Sequence, residues 1–260
     1  AGGSIYHVNL VCAFALMWGA VVFCRSQPFP WIALLAAVPY MLIVVGMGYT
    51  RQAAALGFAL LALTALGNGR MRSFVVWVAV GATFHKSAVL LLPIAALAAS
   101  RNRAQTAVLI GLTTSLLYYL LLADSAEQLW TNYVDAQYQS EGGLIRVLMN
   151  AVPAALLFSL RDRLLPDLRQ RRLWVWMAVF AMVCVLLVPF ASTAVDRVAL
   201  YLIPLQLFTF SRVPHLTSSP QARGVLVIGI LAYYAAVQAV WMNFAAHSQY
   251  WLPYQFVPIG

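Results

Sequence analysis

The sequence predicts an all-α, polytopic bundle of transmembrane helices forming a single domain over residues 1–260. Three observations predict it. Hydrophobic residues make up 63% of the chain and charged residues only 9%, where a soluble domain carries about 25% charged residues. The apolar residues gather in runs close to the roughly 20 residues that an α-helix needs to cross a bilayer. The connections are mostly short, with no internal repeat, no low-complexity linker and no segment polar enough for a soluble domain.

Taken in order, clear spans are predicted over 5–24, 31–48, 105–123, 173–190 and 223–246. Segments 51–67, 144–160 and 192–211 carry polar residues near one end and bring the number to about eight. The stretch 73–98 is apolar apart from Thr83-Phe84-His85-Lys86-Ser87 in its middle. The chain opens at Ala1, in mid-phrase, and is expected to be a fragment of a longer chain lacking N-terminal residues.

The two longer connections differ in charge. Segment 124–143 holds Asp124, Glu127, Asp135 and Glu141 and no base, while 161–172 holds Arg161, Arg163, Arg169, Arg171 and Arg172. Cationic loops stay on the cytoplasmic side, so 161–172 reads as a cytoplasmic basic loop and 124–143 as an external one. The net charge of +9 then reflects orientation in a lipid bilayer, and nucleic acid is not an expected partner.

Two readings of 73–98 stay open. If it crosses once, ten of the 16 basic residues lie inside. If it dips in and returns, broken at His85-Lys86, twelve do, and the four left over are Arg51, Lys86, Arg146 and Arg197. The re-entrant reading is preferred, because non-helical backbone is tolerated at membrane depth where it lines a cavity.

Cys12, Cys24 and Cys184 have no metal or redox spacing and read as small buried hydrophobes. No nucleotide-binding glycine fingerprint, zinc spacing, serine-nucleophile motif or paired-carboxylate metal motif is present. No cofactor and no metal is expected.

Three phrases carry a resemblance: Gly48-Tyr49-Thr50-Arg51-Gln52; Phe84-His85-Lys86-Ser87-Ala88 followed by Leu92-Pro93; and Asp196-Arg197 followed by Tyr201-Leu202-Ile203-Pro204-Leu205-Gln206. In this order, on this hydropathy profile, the chain from Ile5 to its end resembles the EpsG family of polysaccharide-biosynthesis membrane proteins, which are similar in role to Wzy-type polymerases. The family's usual N-terminal spans, with an acidic Glu-Pro-Gly-Tyr-like phrase, are missing from this sequence. The resemblance implies a multi-pass protein of the bacterial inner membrane with a GT-C-like fold. It implies a glycosyltransferase that polymerises polyprenyl-diphosphate-linked oligosaccharide into exopolysaccharide, capsule or O-antigen-like glycan on the periplasmic face. Other exopolysaccharide-assembly proteins are implied partners.

That chemistry has a hydroxyl attack an anomeric carbon while a polyprenyl diphosphate leaves, so fixed cations at the diphosphate stabilise the transition state. Arg51 and Arg197 lead as clamps, because guanidinium forks onto phosphate oxygens. Arg146 is third, and Lys86 adds a point charge. Each has a plainer reading: Arg51 snorkels from a helix end, and Arg146 caps its span. His85 is the leading general base, with Asp196 and Glu141 as rivals and a hydrogen-bonded polar plug as its plain alternative. Asp196 and Arg197, being adjacent on a helix, do not face each other, whereas Tyr201 shares a face with Arg197. Tyr49 and Gln52 are substrate-binding candidates from the first phrase. Trp130 and Tyr133 offer sugar rings an aromatic platform, or form an interfacial belt.

Two other functions fit the same residues. A transporter or flippase of lipid-linked glycan also uses a broken helix with intramembrane charge. A non-catalytic membrane component of a synthesis complex would carry these charges only to set its topology.

Overall fold

The computed structural model describes residues 5–98, 104, 105, 108, 110–112, 115, 116, 119, 140, 142–165, 168–245 and 248–250. All regular structure among the described residues is helical. In chain order the helices are α1 (Ile5–Arg25), α2 (Pro30–Gly48), α3 (Thr50–Gly67), α4 (Met71–Phe84) and α5 (Lys86–Ala98). There follow α6 (Gly143–Leu164), α7 (Leu168–Leu187), α8 (Ser192–Leu200), α9 (Pro204–Phe210) and α10 (Pro220–Phe244).

Local chemistry fixes the helix ends. Pro30, Pro204 and Pro220 open their helices, where a missing N–H has no partner to lose. The Ser219 hydroxyl oxygen caps α10 by accepting from the Ala222 amide. Gly69 takes a φ of 74° in the turn between α3 and α4.

Six helices among the described residues are long and apolar enough to cross a membrane: α1, α2, α3, α6, α7 from Gln170, and α10. They match six of the eight predicted spans. The predicted span 105–123 lies largely outside the described residues. The predicted span 192–211 is not one helix but two. Pro204 has no N–H to give the Leu200 carbonyl. The amides of Tyr201, Leu202 and Ile203 instead bond back three residues, to Val198, Ala199 and Leu200. A tight turn therefore separates α8 from α9.

Stretch 73–98 is also interrupted. His85 is extended at φ −149°, ψ 118°, and Lys86–Leu90 form a 3-10 turn. The chain folds back at this break. A Cβ on Gly81 would lie 3.5 Å from the Ala88 Cβ, although a straight helix advances about 10 Å over seven residues.

Packing differs across the bundle. Gly19 on α1 and Gly57 on α3 meet backbone to backbone, so a Cβ on Gly57 would sit 2.3 Å from the Ala15 carbonyl oxygen. Small residues permit such approach between membrane helices. In α3 72% of an 18-residue window is buried, against 11% in α10. A hydrogen-bond chain ties the other half together. The Tyr234 hydroxyl donates to Gln206 Oε1 at 2.9 Å, Gln206 Nε2 to Asn150 Oδ1 at 2.7 Å, and Asn150 Nδ2 to the Ala199 carbonyl at 2.8 Å. All three side chains are buried, and their mutual satisfaction is what permits that.

Candidate functional site

Asp196 and Arg197 organise the site by diverging. Successive helical residues point about 100° apart, so on α8 Asp196 faces α6 while Arg197 faces α3. The Asp196 carboxylate receives Arg146 Nε at 2.5 Å and Nη2 at 2.7 Å, and the Ser140 hydroxyl at 3.0 Å. Arg146 Nη2 also donates to Ser140 Oγ at 2.6 Å, and the Ser140 amide donates to Ser192 Oγ at 2.8 Å. Gly142 makes room for this knot. It holds φ at 72°, and a Cβ there would lie 3.4 Å from Arg146 Nη1.

Arg197 has different company. Its Nη1 donates to Gln52 Oε1 at 3.0 Å, and Gln52 Nε2 donates to the Arg197 carbonyl at 3.2 Å. Its guanidinium carbon lies 4.8 Å from the centre of the Tyr49 ring. Gln52 is 2% exposed and is held fast for this role at the start of the closely packed α3. Both partners are neutral. Among the described residues no carboxylate offsets the Arg197 charge, whereas that of Arg146 is offset by Asp196.

One turn after Arg197, the Tyr201 hydroxyl lies 3.4 Å from His85 Nδ1. His85 is half-buried and within electrostatic reach of both Arg197 and Arg51. The two interrupted helical stretches therefore meet at their breaks. Lys86 opens the 3-10 turn beside His85, and Arg51 is exposed on the first turn of α3.

A cavity of about 910 Å³ adjoins this cluster. Its polar lining comes from Tyr40, Tyr49, Ser140, Arg146 and Arg197. Its walls are apolar, from Ile145, Leu148, Met149 and Val152 of α6 and from Val237, Val240, Trp241 and Phe244 of α10. Arg51, His85 and Lys86 do not line it.

Of the sequence candidates, Tyr49, Gln52, His85, Arg146, Asp196, Arg197 and Tyr201 thus gather in one region, with Arg51 and Lys86 at its edge. Trp130, Tyr133 and Glu141 lie outside the described residues. Sequence reasoning missed Tyr40, Ser140 and Ser192. Tyr40 is buried, and its hydroxyl stands beside Arg146 with no donor or acceptor in hydrogen-bonding geometry among the described residues. It sits in the π-helical stretch Val38–Val45 of α2, a rare geometry that often accompanies functional sites. Pro39, one residue before it, was the visible signal. Among the described residues no three His, Cys, Asp or Glu side chains gather to hold a metal ion.

The gathered cluster draws residues from all three phrases of the resemblance, and the model of the EpsG family matches residues 1–256. The chain belongs to the EpsG family. Membership connects this multi-pass membrane protein to exopolysaccharide biosynthesis. No curated protein and no solved structure gives a significant match to this EpsG-family chain.

Proposed function

We propose that this EpsG-family protein polymerises polyprenyl-diphosphate-linked oligosaccharide, with Arg197 receiving the leaving diphosphate. The observation that carries the reading is Arg197, half-buried in the lining of a large cavity and, among the described residues, without a carboxylate to offset its charge. A cation held by neutral partners keeps its full charge for an anionic ligand. The low dielectric around it strengthens that attraction.

In the proposed reaction an acceptor hydroxyl attacks the anomeric carbon of the donor. The bond from that carbon to the diphosphate oxygen breaks, and negative charge grows on the diphosphate, where Arg197 meets it. The acceptor's proton passes to His85, whose Nε2 stays available when Nδ1 faces Tyr201. Both oxygens of Asp196 are engaged by Arg146 and Ser140, which supports a positioning role for it over that of base. Arg51 and Lys86 add positive field from the His85 side. Trp130, Tyr133 and Glu141 stay substrate-binding candidates in the same proposal.

The reading takes the site as periplasmic, on an inner-membrane bundle of GT-C type, with the charge pattern and the family as its supports. The fold-back of Gly81 on Ala88 supports the re-entrant course of 73–98. A cysteine at position 70 labelled from outside the cell would overturn that course.

The direct test uses the full-length protein in a deletion background, with Arg197→Ala and Arg197→Lys. Loss of an electrostatic stabiliser of this kind lowers the rate about 10²–10³-fold. Single repeat units on a gel, at normal protein level, are expected for Arg197→Ala, with partial recovery for Arg197→Lys. Unchanged long chains in both variants would sink the assignment.

One observation favours a second reading. Two broken helices meeting at His85 and Tyr201 is an arrangement that carriers of membrane solutes also use. A deletion strain that accumulates lipid-linked units on the cytoplasmic side would select a flippase. Accumulation of exported single units selects the polymerase.

A further inference from the structure

The cavity walls are arranged as a helix–helix seam that has not closed. On α6, Ile145, Leu148, Met149 and Val152 are spaced three, four and seven residues apart. On α10, Tyr233, Val237, Val240, Trp241 and Phe244 repeat in the same three-and-four rhythm. Such stripes place all their side chains on one face, and in a bundle two facing stripes interlock. Here the two helices are not packed on each other, and about 910 Å³ lies between them. α10 is held instead by α2, by the turn at Val213–Leu216 and, through Tyr234, by Gln206 of α9. The apolar lining from α10 extends from Tyr233 to Phe244, about 16 Å at 1.5 Å per residue. Arg146 and Arg197 line the same cavity.

We propose that this open seam between α6 and α10 is the binding site for the isoprenoid tail of the lipid diphosphate, with its mouth facing the bilayer. The proposal rests on the reading of Arg197 as the diphosphate site and adds the tail subsite and its residues. Charge complementarity at Arg197 and the apolar walls of the same cavity argue for one occupant. That occupant is a flexible apolar chain joined to a compact anion, not a neutral acyl lipid or a second copy of the protein. The seam gives affinity that grows with tail length until the tail passes its end, because binding strengthens with apolar area removed from water.

The experiment measures affinity for inorganic pyrophosphate, geranyl diphosphate and farnesyl diphosphate, using the full-length protein in nanodiscs. The variants are Ala236→Trp and Val240→Trp, which fill the seam from α10, and Ala235→Trp on an exposed position outside its lining. Wild-type protein is expected to bind farnesyl diphosphate at least about a hundredfold tighter than pyrophosphate, by the area rule. Ala236→Trp and Val240→Trp should lose about tenfold or more of the farnesyl affinity and leave pyrophosphate unchanged, while Ala235→Trp changes neither. Farnesyl affinity that survives both seam-filling variants, with pyrophosphate still bound through Arg197, overturns the tail site alone and leaves the void to a bilayer lipid or a second copy. Wild-type protein that binds no diphosphate, or binds it equally well as Arg197→Ala, overturns the diphosphate reading and the tail site together.

Discussion

The seam between α1 and α3 and the seam between α6 and α10 follow similar residue spacing and end differently. The first is closed to backbone contact, because Ala15, Gly19 and Gly57 stand where the helices cross. The second is open, because Tyr233, Trp241 and Phe244 stand on its α10 wall. In a bilayer, apolar character does not by itself drive helices together, and side-chain size sets how closely they approach. The closed seam fixes α3, which carries Tyr49 before its first turn and Gln52 within it, and so holds Arg197 still. The open seam offers room. A rigid cation beside an adaptable apolar space suits the proposed substrate, with its constant diphosphate and long, flexible tail.

The largest effect that can break this comparison is expected at Gly57. Gly57→Leu drives a side chain into the Ala15 backbone, which cannot rotate away, and should destabilise by more than about 5 kcal/mol, the exceptional class for one substitution. Little monodisperse protein should survive extraction; a well-behaved Gly57→Leu protein would mean that the α1–α3 contact is looser than described. Next comes Asp196→Ala, which leaves the half-buried Arg146 without its countercharge. Breaking a buried pair from one side costs about 3–5 kcal/mol, to be read as a fall in thermal midpoint. The double variant Asp196→Leu with Arg146→Met should recover much of that loss, and no recovery would show that the pair does more than neutralise itself.

Asn150→Leu sharpens the comparison at intermediate size. It strands the Gln206 amide in the chain that reaches α10 through Tyr234, at about 1–3 kcal/mol for an unsatisfied buried group. Hydrogen exchange should rise in α10 more than in α3, and equal protection in both helices would disconnect the network from the open seam. The smallest effect is expected at Val240→Ala, where a side chain 38% exposed faces the void. Away from such structural features changes stay within about 0.5 kcal/mol, so a large drop in melting temperature there would mean that the seam is closed in the bilayer.

Hydropathy made six of the long helices legible, because a bilayer imposes length and apolarity on every span. The interruption at His85 was legible too, since an ionisable pair inside an apolar run marks backbone that cannot continue unchanged. The interruption at Pro204 was not recognised, although the proline was in view; the apolar run around it hid the break. At the site, Tyr49, Gln52, Arg197 and Tyr201 were accessible through short phrases, each lying on one helix turn or close to it. The Arg146–Asp196 pair joins residues 50 positions apart, and His85 and Tyr201 are 116 apart. Nothing local encodes such meetings. Ser140 was unreadable for the same reason, because its role exists only where the chain brings it against α8.

The neutral company of Arg197 has a pharmacological consequence. If Arg197 receives the diphosphate as proposed, a competitive inhibitor would need one compact anionic group and one supple hydrocarbon arm, and no hydrogen-bonding pattern more elaborate than that. Resistance would arise along α10, where exposed side chains are free to change size without disturbing the fold. It would be rare at Gln52, where the group that steadies the guanidinium is also locked into α3, the most buried of the six membrane-length helices among the described residues.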